Sequence, residues 1–194
     1  MSLSNAWSLP LVPSDASWLP IALADIDAVM RDHLHCERKA ATSALSLLRS
    51  YPERADVVEW TVRLAHEETR HVVQVAQLLN RRSQTPGHDH GDDYAAALQK
   101  HVRKTEPGRL LDRLLVFAII EGRSAERLAM LAGALTEPRE RLLYENLADA
   151  EFRHRDGFLQ LAAATDELWK SRAVELCAHE AAILARLPVV ARIH

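Results

Sequence analysis

The chain has 194 residues, 48% of them hydrophobic, with only 6 glycines and a formal net charge of −3. That length and a composition rich in Ala, Leu, Arg and Glu suit one all-α domain with a substantial core. The charge excludes the global basic field of a dedicated nucleic-acid binder, and having only Cys36 and Cys177 excludes a disulfide framework, a paired-cysteine zinc site and an iron–sulfur centre.

Residues 1–20 read as an irregular arm, because Pro10, Pro13 and Pro20 interrupt every apolar run; the arm is expected to pack through Trp7 and Trp18. With no Lys or Arg before Arg31 it is a poor signal peptide. No window supplies the ~18 uncharged apolar residues of a membrane span, so a cytoplasmic protein without membrane contact is expected. A first long helix is predicted over 21–50, closed by Pro52, and a second from 52 or 53 to 82. Turn residues make 85–91 a loop, in which His88, Asp89 and His90, followed by Asp92 and Asp93, read as solvated side chains rather than a cation trap. A shorter helix is predicted over 92–104. Pro107 suits the first residue of a third long helix ending near 135, and Thr136 can cap a fourth, with Pro138 in its first turn, running to about 164. Asp166 starts a last helix, over 166–187, that Pro188 stops. The bundle thus covers about 21–164 of a single domain spanning 1–194.

Each long helix carries one inward stripe stepping by three or four residues. The first gives Ile26, Met30, His33, Glu37, Ala41, Ala44 and Leu48; the second Leu64, Glu68, His71, Val75 and Leu79. The third gives Leu110, Leu114, Phe117, Glu121, Ala125, Leu128 and Ala132; the fourth Tyr144, Leu147, Glu151, His154, Phe158 and Ala162. Four glutamates and two histidines therefore fall where apolar groups belong. Glu68-Thr69-Arg70-His71 and Glu151-Phe152-Arg153-His154 repeat one signature, and Glu37 and Glu121 precede their partners by 31 and 30 positions. A glutamate followed by Glu-x-x-His, twice over, is the ligand set of a carboxylate-bridged dinuclear metal site within a four-helix bundle. Burying these groups without strong cations is prohibitive.

The donor mixture suits iron, with manganese also admissible. Glu68 and Glu151 are the natural bridges, each sharing a helix turn with a terminal histidine; Glu37 and Glu121 are terminal carboxylates. Arg70 and Arg153 are either orienting groups or solvent-facing positions, and Asp149, Glu67 and Glu126 are weaker candidates for supporting the ligands. Glu126 is an inferior alternative to Glu121, since five residues on it turns off the stripe. Cys36 points about 100° from Glu37 and reads as a structural thiol. His33 and His35 flank the site by one turn, either being placed to line a substrate pocket. Lys100, His101, Arg103, Lys104, Arg109 and Arg113 form the densest positive stretch, a solvated face or a phosphate-facing one.

Several segments together resemble the tRNA 2-methylthio-isopentenyladenosine hydroxylases, the MiaE family of ferritin-like diiron proteins. They are His33-Leu34-His35-Cys36-Glu37-Arg38-Lys39-Ala40-Ala41, Leu64-Ala65-His66-Glu67-Glu68-Thr69-Arg70-His71, Asp112-Arg113-Leu114-Leu115, Ile120-Glu121-Gly122-Arg123-Ser124-Ala125-Glu126-Arg127 and Glu151-Phe152-Arg153-His154. The likeness covers about 25–185; Gly122 and Ala125 depart from it, standing where a bulkier residue is expected. It implies a ferritin-like four-helix bundle with additional helices and a dinuclear metal site in its core. It also implies oxygen-dependent hydroxylation of the isopentenyl group on a hypermodified adenosine beside the tRNA anticodon. Glu37, Glu68, His71, Glu121, Glu151 and His154 would then hold two iron ions, with dioxygen as co-substrate and electrons from an outside reductase or ferredoxin. Arg103, Lys104, Arg109 and Arg113 are the phosphate contacts expected under that reading. Rival expectations are a ferritin-like iron-storage or ferroxidase protein and a diiron hydroxylase of a quinone-like small molecule. A manganese catalase shares the ligand pattern, whereas a rubrerythrin-type peroxidase lacks its cysteines here.

Overall fold

The computed structural model describes residues 8–194, so the expected packing of Trp7 lies outside the described residues. Among them are α1 (Trp18–Ala24), α2 (Ile26–Ser50), α3 (Ala55–Arg81), α4 (Asp93–Gln99), α5 (Gly108–Ala134), α6 (Pro138–Thr165) and α7 (Trp169–Leu184), with no β-strand. α2 packs along α3 and α5 along α6, each pair joined by a connection too short for anything but an antiparallel hairpin. α3 against α6 joins the two hairpins. On the opposite side no Cα of α2 comes within 8 Å of one in α5, leaving that edge of the bundle open. α4 and α7 pack on each other and on α5.

Apolar side chains fill the bundle as two separate clusters. One contains Leu47, Tyr51, Leu64, Leu114, Phe158 and Trp169; the other contains Trp18, Met30, Val75, Leu79, Leu131 and Tyr144. Full burial of such side chains stabilises by about 1.5–3 kcal/mol each. On α3, Glu68 and His71 lie between Leu64 of one cluster and Val75 of the other, and α2, α5 and α6 follow the same order. A polar layer is therefore enclosed between two dry ones.

Helix ends depart from expectation where a polar side chain decides them. The arm ends in a helix, α1, whose Trp18 is fully buried and donates from Nε1 to the Arg192 carbonyl at 2.9 Å. The helix predicted over 21–50 is broken at Asp25 (φ −137°, ψ 62°), which accepts from Ala28 N at 3.1 Å and so starts α2. α4 is shorter than 92–104, running only from Asp93 to Gln99 behind an Asp92 cap. Glu137, not Thr136, caps α6 through Glu140 N at 2.7 Å. Asp166 ends α6, and its carboxylate accepts from Leu168 N at 2.8 Å, so α7 begins only at Trp169. On α2, Leu47 rather than Leu48 takes the fully buried position.

Candidate metal centre

Regular i, i+3 geometry puts Glu68 above His71 on α3 and Glu151 above His154 on α6, while α2 and α5 each deliver one glutamate. All six side chains are buried. Their donor atoms fall into two groups, each within 4.8 Å throughout: Glu37, Glu68, His71 and Glu151, and Glu68, Glu121, Glu151 and His154. Glu68 and Glu151 belong to both. His71 Nδ1 stands 3.3 Å from Glu37 Oε2 and 3.3 Å from Glu68 Oε2. His154 Nδ1 stands 2.9 Å from Glu68 Oε1 and 3.5 Å from Glu151 Oε2. The two rings stack with centroids 5.7 Å apart.

The chemistry of this donor set fits a pair of hard cations. Both Glu68 oxygens, Glu151 Oε1 and the Nδ1 atoms of His71 and His154 are buried without a well-formed hydrogen bond, although they converge. Among the described residues no Lys or Arg pairs with any of the four glutamates; only histidines approach them. Burial and the nearby Glu151 charge push the Glu121 carboxyl far above its ordinary range, and burial with the Glu37 charge raises Glu68. Burial and Glu151 also oppose ionisation of Glu37, but His33 and His71 outweigh them and hold its carboxyl at about 2. Burial opposes the charge on His71, yet Glu37 and Glu68 lift it to about 10; His154 is raised likewise. Protons here do the work that divalent ions do better, since each ion compensates several carboxylates at once.

Glu67 faces the outer edge of both histidines, its oxygens 3.2 Å from His154 Nε2 and 4.0 Å from His71 Nε2. Contact with His154 pulls its carboxyl down to about 2, helped by Arg153, which donates to it at 2.9 Å. Arg153 therefore supports the ligands through Glu67, whereas Arg70 and Asp149 are exposed. Glu126 is neither ligand nor support: its carboxylate takes the Ser14 N–H and hydroxyl and pairs with Arg123. His33 does not line a pocket but lies inside the bundle, its Nε2 2.5 Å from Glu37 Oε1. His35 instead meets the Pro86 carbonyl at 3.3 Å.

Through the open edge between α2 and α5 a cavity of about 560 Å³ reaches Glu121, the one member of the six that lines it. Its inner wall is apolar, with Ala40, Ala44, Phe117, Ile120 and Phe158, and its rim carries Arg38, Lys39 and Arg113. Of the phosphate contacts expected from the sequence, only Arg113 belongs to this cavity. Arg103 is committed to Asp112 (2.8 Å) and Arg109 to Glu106 (2.8 Å), while Lys104 is exposed elsewhere. Cys36, Asp92 and His194 form one flank, with donor atoms within 4.8 Å of one another. That flank was not legible in sequence: His194 arrives from the tail, where Ile193 N donates to Asp32 at 2.8 Å and Arg127 holds the Ile193 carbonyl at 2.9 Å. Gly122 has a local reason, since a Cβ there would stand 3.1 Å from Leu11 of the arm.

Comparison with known proteins agrees with this geometry. A family profile described as tRNA-(MS[2]IO[6]A)-hydroxylase (MiaE) matches residues 3–194. A tRNA 2-(methylsulfanyl)-N(6)-isopentenyladenosine(37) hydroxylase from Pseudomonas putida is 41% identical over 165 residues, 84% of this chain and 80% of that protein. The protein of the same name from Salmonella typhimurium is 28% identical over 199 residues, 77% of this chain and 73% of that protein. In structure, the chain resembles a Synechococcus protein with aldehyde deformylating oxygenase activity, with a TM-score of 0.88 and 35% identity over 97% of this chain and 95% of that one. Motifs, fold and likeness along nearly the whole sequence agree: this chain belongs to the MiaE family of tRNA hydroxylases.

Proposed function

We propose that Glu37, Glu68, His71, Glu121, Glu151 and His154 hold two iron ions, and that the protein hydroxylates the isopentenyl group of a hypermodified adenosine next to the tRNA anticodon. The observation that carries this reading is the convergence of orphaned buried donors in two groups sharing Glu68 and Glu151. Glu68 and Glu151, common to both groups, would serve both ions, while Glu37 with His71, and Glu121 with His154, would serve one each. When bound, the ion pair supplies reductive activation of dioxygen: one oxygen atom enters an allylic C–H bond, and the other leaves as water with two electrons and two protons from an outside reductase or ferredoxin.

The chain's own residues do the rest. Glu67 steadies the His154 imidazole from behind at 3.2 Å, with His71 at a looser 4.0 Å, while Nδ1 of each ring faces the centre. The apolar clusters above and below keep water from the layer, and the α2–α5 cavity admits substrate from one side only. Phe117, Ile120 and Phe158 offer the apolar surface a prenyl chain needs beside Glu121. A base in an anticodon loop is unstacked cheaply, which suits a site reached through a cavity. No helix among the described residues is long and apolar enough to cross a membrane, and a tRNA substrate is in keeping with a cytoplasmic protein. Nucleoside analysis of tRNA tests the proposal: the hydroxylated nucleoside should vanish when the gene is deleted and return with the wild-type gene but not with Glu68→Ala. Unchanged levels after deletion would refute it.

A further inference from the structure

We infer that Arg38, Lys39 and Arg113 are the phosphate-binding rim of the cavity, and that Asp89 occupies this rim in the free protein in place of an RNA phosphate; the inference rests on the tRNA reading above. Arg38 and Lys39 follow Glu37 directly on α2, so the helix that delivers a carboxylate to the buried layer turns two cations onto the mouth of the cavity. Arg113 stands on α5, on the other side of the open edge. Beside Glu121 the wall carries Phe117, Ile120 and Phe158, with Ser43, Ser46 and Gln99 also among the lining side chains. A ligand matching the cavity is thus apolar at the inner end and anionic at the outer one, which is the polarity of a prenylated base still attached to its phosphate backbone.

Two of the rim cations, Arg38 and Lys39, already hold an anion, which reaches them from the neighbouring hollow lined by His35 and Pro86. Asp89, on the loop between α3 and α4, accepts from Arg38 Nη2 at 2.6 Å, from Lys39 Nζ at 3.5 Å and from Gly91 N at 2.9 Å. A guanidinium, an ammonium and a backbone N–H around two oxygens is a donor set that phosphate fills equally well. The Arg38 side chain is 51% exposed, so this ion pair is weakly held and readily exchanged. Among the described residues Arg113 makes no ion pair: it donates to Ser46 Oγ at 3.2 Å and lies 5.7 Å over the Tyr51 ring. Its charge faces the cavity uncompensated by a carboxylate. Substrate binding accordingly replaces Asp89 with one backbone phosphate and brings another to Arg113.

The test is equilibrium binding of a fluorescent anticodon stem-loop RNA bearing isopentenyladenosine to the metal-loaded protein, across a salt series. Lys39→Gln and Arg113→Gln should each weaken binding and lower the slope of log affinity against log salt by about 1, with Lys39→Arg retaining the wild-type slope. Asp89→Asn should bind several-fold more tightly than wild type. Wild-type affinity and slope in both Gln variants, or weaker binding by Asp89→Asn, would overturn the inference. If such variants behave as wild type while wild type hydroxylates the RNA, only the rim is wrong. If wild type neither binds nor hydroxylates it, the tRNA reading itself falls.

Discussion

Replacing Glu67 by alanine removes the one carboxylate among the described residues that faces the outer nitrogen of both histidines. Its two contacts are unequal, 3.2 Å to His154 and 4.0 Å to His71, so only the first lies within hydrogen-bonding reach. Loss of an outer partner of a ligating histidine lowers metal affinity about 10–100-fold, or about 1.4–2.8 kcal/mol at ~1.4 kcal/mol per tenfold. Because the Glu67 side chain is 33% exposed, water takes over part of its role, and the lower half of that range is expected. The loss should fall on the ion held by Glu121 and His154, leaving the ion at Glu37 and His71 nearly unaffected. Glu67→Gln, which keeps an accepting oxygen but loses the charge, should lie between alanine and wild type. Chelator competition with Co(II), followed by absorption and resolved into two sites, measures both affinities. Equal affinities in Glu67→Ala and wild type, or a larger loss at the His71 site, would refute this account of how the rings are held.

Further outcomes follow from the same geometry. Glu68→Ala removes a donor common to both groups, so metal content by elemental analysis should drop from two ions per chain to fewer than one; two retained ions would contradict the bridging role. Loading at pH 7 should release on the order of two protons per pair of ions, because His71 (about 10 without metal) and His154, likewise raised, hold protons that ligation displaces. A pH indicator in weak buffer reads this directly, and affinity should fall with falling pH. Absence of proton release would show that the metal binds elsewhere. Asp112, fully buried between Arg103 and Arg172, is held below the usual carboxylate range: burial opposes its ionisation, but the two guanidiniums prevail. Its folded pKa is depressed, so the stability it contributes is complete above its unfolded value of about 3.9 and is lost as pH falls toward the folded one. Asp112→Asn should cost about 3 kcal/mol, the low end for breaking a buried pair because Arg103 is half exposed, lowering Tm by about 6–12 °C in thermal melts at pH 7.

The parts of the molecule legible in sequence are those written in one helical period. Glu68 with His71, and Glu151 with His154, sit three apart on stripes of leucine and valine, and a carboxylate on an apolar stripe is conspicuous whatever the tertiary context. The four long helices were legible for the same reason. What escaped depends on contacts between residues distant in the chain or on a single polar side chain. Asp25 splits a helix whose flanking pattern continues through it, and Glu137 displaces Thr136 as a cap although both residue types reach a backbone N–H. In sequence Glu67 is one of three equally weak candidates for supporting the ligands, beside Asp149 and Glu126; what singles it out is that α3 and α6 bring two rings to its sides. The cavity arises because α2 and α5 stay apart, and His194 lines it only because the tail folds back beside Asp92. Nothing local in the sequence encodes a gap.

The most direct measurement of the central claim is anomalous diffraction at the iron edge from crystals grown after anaerobic loading. Two peaks about 3.5–4 Å apart are expected, both within bonding distance of Glu68 and Glu151, one next to His71 and one next to His154. No peak in that layer, or a single peak beside Cys36, Asp92 and His194 instead, would contradict it.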